Sequence, residues 1–499
     1  MLDYLNKRPM LSSSIVTVIS AFAMIYSQIS AFLIGIFISF ILGFLIIKKS
    51  QKLIALVLLF VVFLSMFFEC SKVQKLMNTN IKEENCLFAV CNINFEGEDY
   101  CYAEVEVIES QRLKKGTKIS VSYDYRGLSM GDIIKADIET SPIKQNSYKN
   151  INYSKEIFLN GSLEEIEKTG EKDFILGFIG KTRKYIENSF LKNMGYDEAA
   201  TFSALILGKK DYFTDEFNEN IKRSGVSHVM VVSGMHLAIV VSFFLSVFNK
   251  IFYNRYIKAV VMVATVLFMT ALCGFSLSML RAGVTYILIA LSQAIKREST
   301  HENTLGTAVM IILALSPFAI LNIGFQLSVL ATFGILVIAL PVINLLKGKV
   351  KSKIVMGLIS CAITSVSAML VCLPVLIYFF SSLSIVAVIT NLLISSAVTL
   401  AISLGIIGLA AGLIFPTISG GILYIASFVI KYINFCINKI GSLPFAMIKV
   451  PSWTSLIAVA IILGVFWVML SCKVRNDMLK SKERLEKIKR EGGRILKWR

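Results

Sequence analysis

Residues 257–297 read IKAVVMVATVLFMTALCGFSLSMLRAGVTYILIALSQAIKR. Two apolar runs, 257–273 and 278–295, are joined by Cys273-Gly274-Phe275-Ser276 and flanked by Lys258 on one side and by Lys296 and Arg297 on the other. Each run is long enough to cross a hydrocarbon layer about 30 Å thick at about 1.5 Å per residue. Lysines and arginines collect in cytoplasmic loops, so both outer ends face the cytoplasm and the Gly274 turn faces outward. A single charge, Arg281, breaks the second run. The pattern decides the fold class, because it recurs along the whole chain.

Working outward, further runs fall at 226–248, 304–321, 324–346, 354–380, 383–413, 418–440 and 455–471, and three more lie at 11–27, 30–47 and 53–69. Lys48, Lys49 and Lys52, then Lys250, Arg255 and Lys258, then Lys296 and Arg297, then Lys347, Lys349, Lys351 and Lys353 mark alternate loops as cytoplasmic. The reading is a polytopic α-helical membrane protein of about twelve crossings, with both termini in the cytoplasm. Lys7, Arg8 and Ala21-Phe22-Ala23 imitate a cleaved leader, but a second run follows at once, so this is read as a retained first helix. The 383–413 run is long for one straight helix and carries Gly405, Gly408 and Gly412, which suggests a broken or re-entrant element. With 55% apolar and 17% charged residues in 499, a soluble enzyme is excluded. The net charge of +18 does not by itself mean nucleic-acid binding, since membrane proteins accumulate it in their inner loops.

The division that follows is 1–69 for three N-terminal helices, 70–172 for an outer domain, 173–223 for amphipathic membrane-surface helices, 224–471 for a membrane core and 472–499 for a basic tail. The outer segment alternates apolar and polar residues at Tyr102–Val107, Lys118–Tyr123 and Ile133–Ile138, with glycines at the breaks, so it reads as a small OB-like β-barrel. Its 14 basic and 17 acidic residues offer no basic DNA groove. Cys70, Cys86, Cys91 and Cys101 crowd there and suggest a disulfide outside, Cys86 or Cys91 with Cys101. Between 174 and 223, Phe174, Phe178, Tyr185 and Phe190 alternate with Lys181, Arg183, Lys184 and Lys192, as in helices that lie on a membrane. The tail from 473 holds 11 basic and 4 acidic residues and suits anionic lipid.

Chemistry concentrates in four places. The first runs from Lys209, Lys210 and Asp211 through Lys222, Arg223, Ser224, Gly225, Ser227 and His228 to Ser233, Gly234 and His236, holding two of the three histidines at the mouth of a span. The second is Gly274 to Ala282 with Arg281, the third Gly324 to Ser328 with Gln326, and the fourth Pro374 with Asn391. Polar groups in a span must find partners or line water, so the set reads as a hydrated path or as glue between helices. Enzyme motifs fail on spacing. Gly180-Lys181-Thr182 ends like a phosphate loop, but Ile175 stands where its first glycine belongs, and no His-Glu-x-x-His occurs. No metal site and no cofactor are expected.

Together these four constellations and the outer barrel resemble the ComEC family of competence proteins, from the barrel to about residue 471. The resemblance implies a channel for single-stranded transforming DNA across the bacterial cytoplasmic membrane, not an enzyme, working with an external DNA receptor and a cytoplasmic ATP-driven helicase. Such a channel needs a wet, positively biased path: Lys209, Lys210, Lys222, Arg223 and Arg281 are read as supplying positive potential, and Asp211, Ser224, Ser227, His228, Ser233, His236, Gln326, Ser328 and Asn391 as lining the path. Many members add a metallo-β-lactamase-like domain; the 28 residues after 471 hold no such histidine-rich motif, so strand degradation, where it happens, is expected of another protein or of chemistry that the sequence does not display. Two other readings fit the residues alone: a carrier for a different anionic solute, and a membrane-embedded Ser/His hydrolase or nuclease.

Overall fold

The structure is a computed structural model that describes residues 80–464, apart from 97–100, 126, 144–148, 210–211, 252–253, 297–299 and 463, with parts of 10–18 and 60–73. Five strands, β1 (Ile81–Glu96), β2 (Cys101–Glu109), β3 (Lys118–Tyr123), β4 (Asp132–Pro142) and β5 (Ile157–Lys172), close a barrel in the order β1-β2-β3-β5-β4. Only the β3–β5 pairing is parallel. That order is OB-like. The alternation read from sequence is the alternation seen: Phe88, Val90, Val105, Ile119, Val121, Ile134, Ile138 and Leu159 point inward and are buried. A short helix, α1 (Lys149–Ser154), connects β4 to β5.

The expected disulfide is not formed. Cys86, Cys91 and Cys101 are free thiols, and the strand register gives the reason. Cys101 stands opposite Glu96 of β1, five residues along from Cys91. At about 3.3 Å per residue that is roughly 16 Å, far beyond the ~7 Å between Cα atoms that a disulfide spans, and Cys86 is farther still. Burial and the neighbouring Glu83 push the Cys86 thiol up to about 11. Burial and Glu106, whose carboxylate lies 3.8 Å from its sulfur, push Cys91 up to about 12. Because only the thiolate attacks, iodoacetamide should modify both at pH 8 about 100-fold or more slower than an ordinary thiol, and the rate should climb about tenfold per pH unit. Site-resolved mass spectrometry of alkylated protein checks this; modification of either within the time of a free cysteine contradicts it.

After the barrel come α2 (Phe174–Asn193), α3 (Tyr196–Leu207), α4 (Asp215–Arg223), α5 (Gly234–Ile251), α6 (Arg255–Leu272), α7 (Leu277–Ala294), α8 (His301–Leu315), α9 (Ile323–Leu346), α10 (Lys353–Phe380), α11 (Ala387–Gly412), α12 (Pro416–Gly441) and α13 (Ser452–Ile462). Six of these, α6, α7, α9, α10, α11 and α12, are long and apolar enough to cross a membrane. Shorter apolar stretches occupy Gly234–Ser246, α8 and α13. Thus nine of the runs expected from sequence fall on apolar helices, while those at 11–27, 30–47 and 53–69 lie mostly outside the described residues, as do the basic tail and Cys70.

Local departures have local causes. The run from 226 does not become helix until Gly234, because Gly225 takes φ +76 and the chain turns through 226–233 first. The 383–413 run is not broken: after a short strand β6 (Ser382–Ser384), paired with β7 (Met447–Lys449), α11 runs unbroken to Gly412. Its glycines serve close packing, Gly405 against Phe202 and Gly408 against Leu423. The irregular helix is α9, which widens into a π turn at Ile335–Ala339 just before Pro341, a residue with no N–H to give to the preceding turn. α3 is not a surface helix, since Ala199 to Leu207 are all buried. α2 keeps an amphipathic outer face of Phe174, Ile175, Phe178 and Leu191 beside Lys181, Lys184 and Lys192, but its Arg183 points inward and is buried.

Among the described residues, two joints fix the barrel to the helices. At the first, Gly131 and Gly177 meet so closely that neither backbone leaves room for a Cβ on Gly131. There Arg183 donates to the Leu272 carbonyl at 2.8 Å and to Asn92 Oδ1 of β1 at 3.3 Å. At the second, Tyr153, Phe158 and Phe318 form an edge-to-face trio with centroids 5.2 to 6.1 Å apart, and Asn322 donates to Ser154 Oγ at 3.1 Å.

Candidate functional site: a polar string across four helices

The site begins where α4 stops. Ser224 caps the helix with its hydroxyl donating to the Ile221 carbonyl, and Gly225 then turns left-handed. A side chain on Gly225 would stand 2.5 Å from Ala387 Cβ and 2.7 Å from Ser384 Oγ, and Ser384 itself donates to the Arg223 carbonyl at 2.8 Å. This contact seats the connector 226–233 on the start of α11. Asn391, on the next turn of α11, donates its side-chain amide to His228 Nε2 at 3.3 Å.

Further along, Ser233 precedes α5. Its backbone N–H donates to His236 Nδ1 at 3.1 Å, and its hydroxyl lies 2.9 Å from the same nitrogen while accepting from the Met235 N–H. Since Nδ1 accepts, the neutral ring carries its proton on Nε2. That Nε2 is buried without a partner, and His236 is only 2% exposed. His228 lies within electrostatic reach of it. Beside the same helix start, Arg281 Nη2 sits 3.3 Å from where a Cβ on Gly234 would be. Arg281 is 7% exposed, and its Nε donates to Ser328 Oγ of α9 at 2.8 Å.

The result is a string of three hydrogen-bonded pairs, Asn391 with His228, Ser233 with His236, and Arg281 with Ser328, with Gly234 between the second and the third. It is carried by α11, the 226–233 connector, α5, α7 and α9. Three of the four constellations in the sequence therefore meet, and the fourth contributes Asn391. No His, Cys, Asp or Glu cluster suited to a metal occurs among the described residues.

Other candidates are placed elsewhere. Lys209 is paired with Glu187 at 2.6 Å. Lys222 is an exposed side chain 3.8 Å from Glu219. Arg223 donates to the Leu443 carbonyl at 2.7 Å, at the C-terminal end of α12 where a cation is favoured. Gln326 donates to the Ile320 carbonyl at 2.7 Å and so braces the turn between α8 and α9. Ser224 is spent on its cap. Ser227 is half-buried in the connector, and Lys210 and Asp211 lie outside the described residues. Sequence reasoning missed Gly234 as a contact point for Arg281, and Arg183 as a barrel-to-membrane clamp. The Ser-Gly pair at 233 signalled the first; a lone arginine among lysines gave no signal of the second.

A family model described as "Competence protein" matches residues 205–475, a stretch that contains every member of the string. The chain is 24% identical over 298 residues to "ComE operon protein 3" of Bacillus subtilis (strain 168), covering 59% of this chain and 37% of that protein. It is 31% identical over 179 residues to "Uncharacterized protein MG316" of Mycoplasma genitalium, covering 36% of this chain and 43% of that one. A Mycoplasma pneumoniae homologue of the latter is 29% identical over 169 residues, 34% of this chain and 40% of its own length. The chain thus spans about two fifths of the length of the curated relatives it matches. No solved structure matches. With a helical core that the family model covers from Leu205 onward, and with a barrel docked on it, this chain belongs to the ComEC-type competence protein family.

Proposed function

We propose that the chain is the channel through which single-stranded transforming DNA crosses the bacterial cytoplasmic membrane. In this reading about twelve helices cross, both termini lie in the cytoplasm and the barrel lies outside. The path would follow the string from Asn391 to Ser328, and an external DNA receptor and a cytoplasmic ATP-driven helicase would supply capture and force. The observation that carries it is the gathering of three hydrogen-bonded polar pairs from separate apolar helices and their connector near the start of α5, with a buried arginine among them. Each phosphate of DNA brings a charge that hydrocarbon rejects, and Arg or Lys can neutralise it. Lone polar residues serving as helix glue have no reason to converge. His236 and Arg281 are buried, so in this reading the conformation is a closed one, and passage would need α9 to part from α7 and give up the bond between Arg281 and Ser328.

The test uses the full chain in proteoliposomes with a labelled single-stranded oligonucleotide outside and, in parallel, a labelled small anion. The wild-type chain should take up the oligonucleotide. His236→Ala combined with Ser233→Ala should cut uptake at least tenfold while the protein still inserts. Normal uptake by that stable variant refutes the assignment. Uptake of the small anion alone would point instead to a carrier for another anionic solute, and DNA cleavage on incubation would point to a nuclease.

A further inference from the structure

The start of α5 gathers donors that have nothing to donate to. Arg281 gives one N–H to Ser328, and its two terminal nitrogens, with four N–H groups, meet no acceptor and no carboxylate among the described residues. The backbone N–H groups of Gly234 and His236, in the first turn of this 18-residue helix, also find no acceptor there. His236 Nε2 is buried and unpartnered. Buried donors left unsatisfied are rare, and an uncompensated buried cation is rarer, because both cost far more than a missing contact on a surface. Position 234 is a glycine, and a Cβ there would stand 3.1 Å from Ala282 Cβ and 3.3 Å from Nη2, so only a glycine lets the guanidinium lie this close to the backbone of the helix start.

We propose that the first turn of α5 and Arg281 form a binding site for one tetrahedral oxyanion of the phosphate class. A phosphate offers several oxygens at once: two can take the planar fork of Arg281 and another the helix N-terminus, whose partial positive charge favours an anion. A chloride, with no separate oxygens, cannot use the fork in that way. The occupant is inorganic phosphate when the chain is alone. That a phosphodiester of DNA takes its place rests on the channel reading; the site for free phosphate does not.

The full-length chain in detergent or nanodiscs is titrated with inorganic phosphate at constant ionic strength, chloride making up the balance, and its thermal unfolding is followed. Phosphate should raise the melting temperature in a saturable way, as any ligand of the folded state does, and chloride should not. Arg281→Lys keeps the charge and loses the fork, so its apparent Kd for phosphate should rise at least tenfold. Arg281→Met should show no phosphate response; should it fail to fold, Arg281→Lys carries the comparison. A wild-type chain without saturable stabilisation, or an Arg281→Lys chain that responds as the wild type does, overturns the proposal. A single-stranded oligonucleotide added to the phosphate-bound chain separates the two readings: displacement is expected, while phosphate binding that the oligonucleotide leaves intact keeps the anion site and removes the channel reading.

Discussion

Arg281→Met is expected to leave the protein more stable and, on the channel reading, to cut DNA uptake by about tenfold or more. The guanidinium is 7% exposed, bonded to Ser328 Oγ, and faces no carboxylate among the described residues. Replacing a buried ion pair by apolar side chains of similar volume is often neutral or stabilising by about 1–4 kcal/mol, and Arg281 has no carboxylate partner among the described residues that its loss would strand. Methionine is unbranched and adaptable enough to occupy the same space. Uptake of labelled single-stranded DNA should meanwhile fall by about tenfold or more, since the loss of a desolvated cation facing a phosphate costs about 2 kcal/mol or more. The opposite signs make the experiment decisive. An arginine kept as structural glue would leave a less stable protein when removed. A variant that is both stable and fully active would separate Arg281 from transport.

Gly225→Val should collapse the junction between the α4 corner and α11. Valine at φ +76 costs about 1–3 kcal/mol of backbone strain. Its Cβ also has to displace Ala387 Cβ and Ser384 Oγ, at 2.5 and 2.7 Å, from a packed contact, which costs about another 1–3 kcal/mol. Against a total stability of about 5–15 kcal/mol that is a large share. The melting temperature and the amount of inserted protein should both drop sharply. Gly421→Ala, in the interior of α12 where a Cβ meets nothing within 4 Å, should lower neither. Wild-type melting of the valine variant would show that the corner yields more easily than its geometry says.

Much of the architecture was readable because one physical constraint dominates each part. A lipid-crossing helix must be apolar for about 20 residues, so hydropathy located the runs that became α6, α7, α9, α10, α11 and α12. A barrel wall alternates, so Tyr102–Val107, Lys118–Tyr123 and Ile133–Ile138 announced β2, β3 and β4. Where two constraints produce the same pattern, the reading failed. The connector 226–233 is as apolar as a helix because Val226, Val229, Met230 and Val232 are buried in the core, and hydropathy cannot tell a buried turn from a span. Cysteine spacing carries no register, so a plausible pair proved to be five or more residues apart along β1. Among the site residues, His228, Arg281, Ser328 and Asn391 found partners on other elements, while Ser233 and His236 paired with each other at the start of α5. Those that could be used locally or against a nearby element, Lys209, Arg223, Ser224 and Gln326, were used there. Arg183 escaped notice because a buried arginine and a solvated one read alike on an amphipathic helix.

The two joints of the barrel have a mechanical consequence. A body held at one point can pivot; one held at two acts as a strut. Arg183 ties one side of the barrel to Leu272, at the corner that leads into α7, and the trio of Tyr153, Phe158 and Phe318 with Asn322 ties the other side to the corner that leads into α9. The barrel thereby works as a caliper that sets the spacing of the very two helices whose side chains touch through Arg281 and Ser328. Spreading α7 from α9 at that level strains one joint or carries the barrel along with it, so a load applied to the barrel is transmitted directly to that seam.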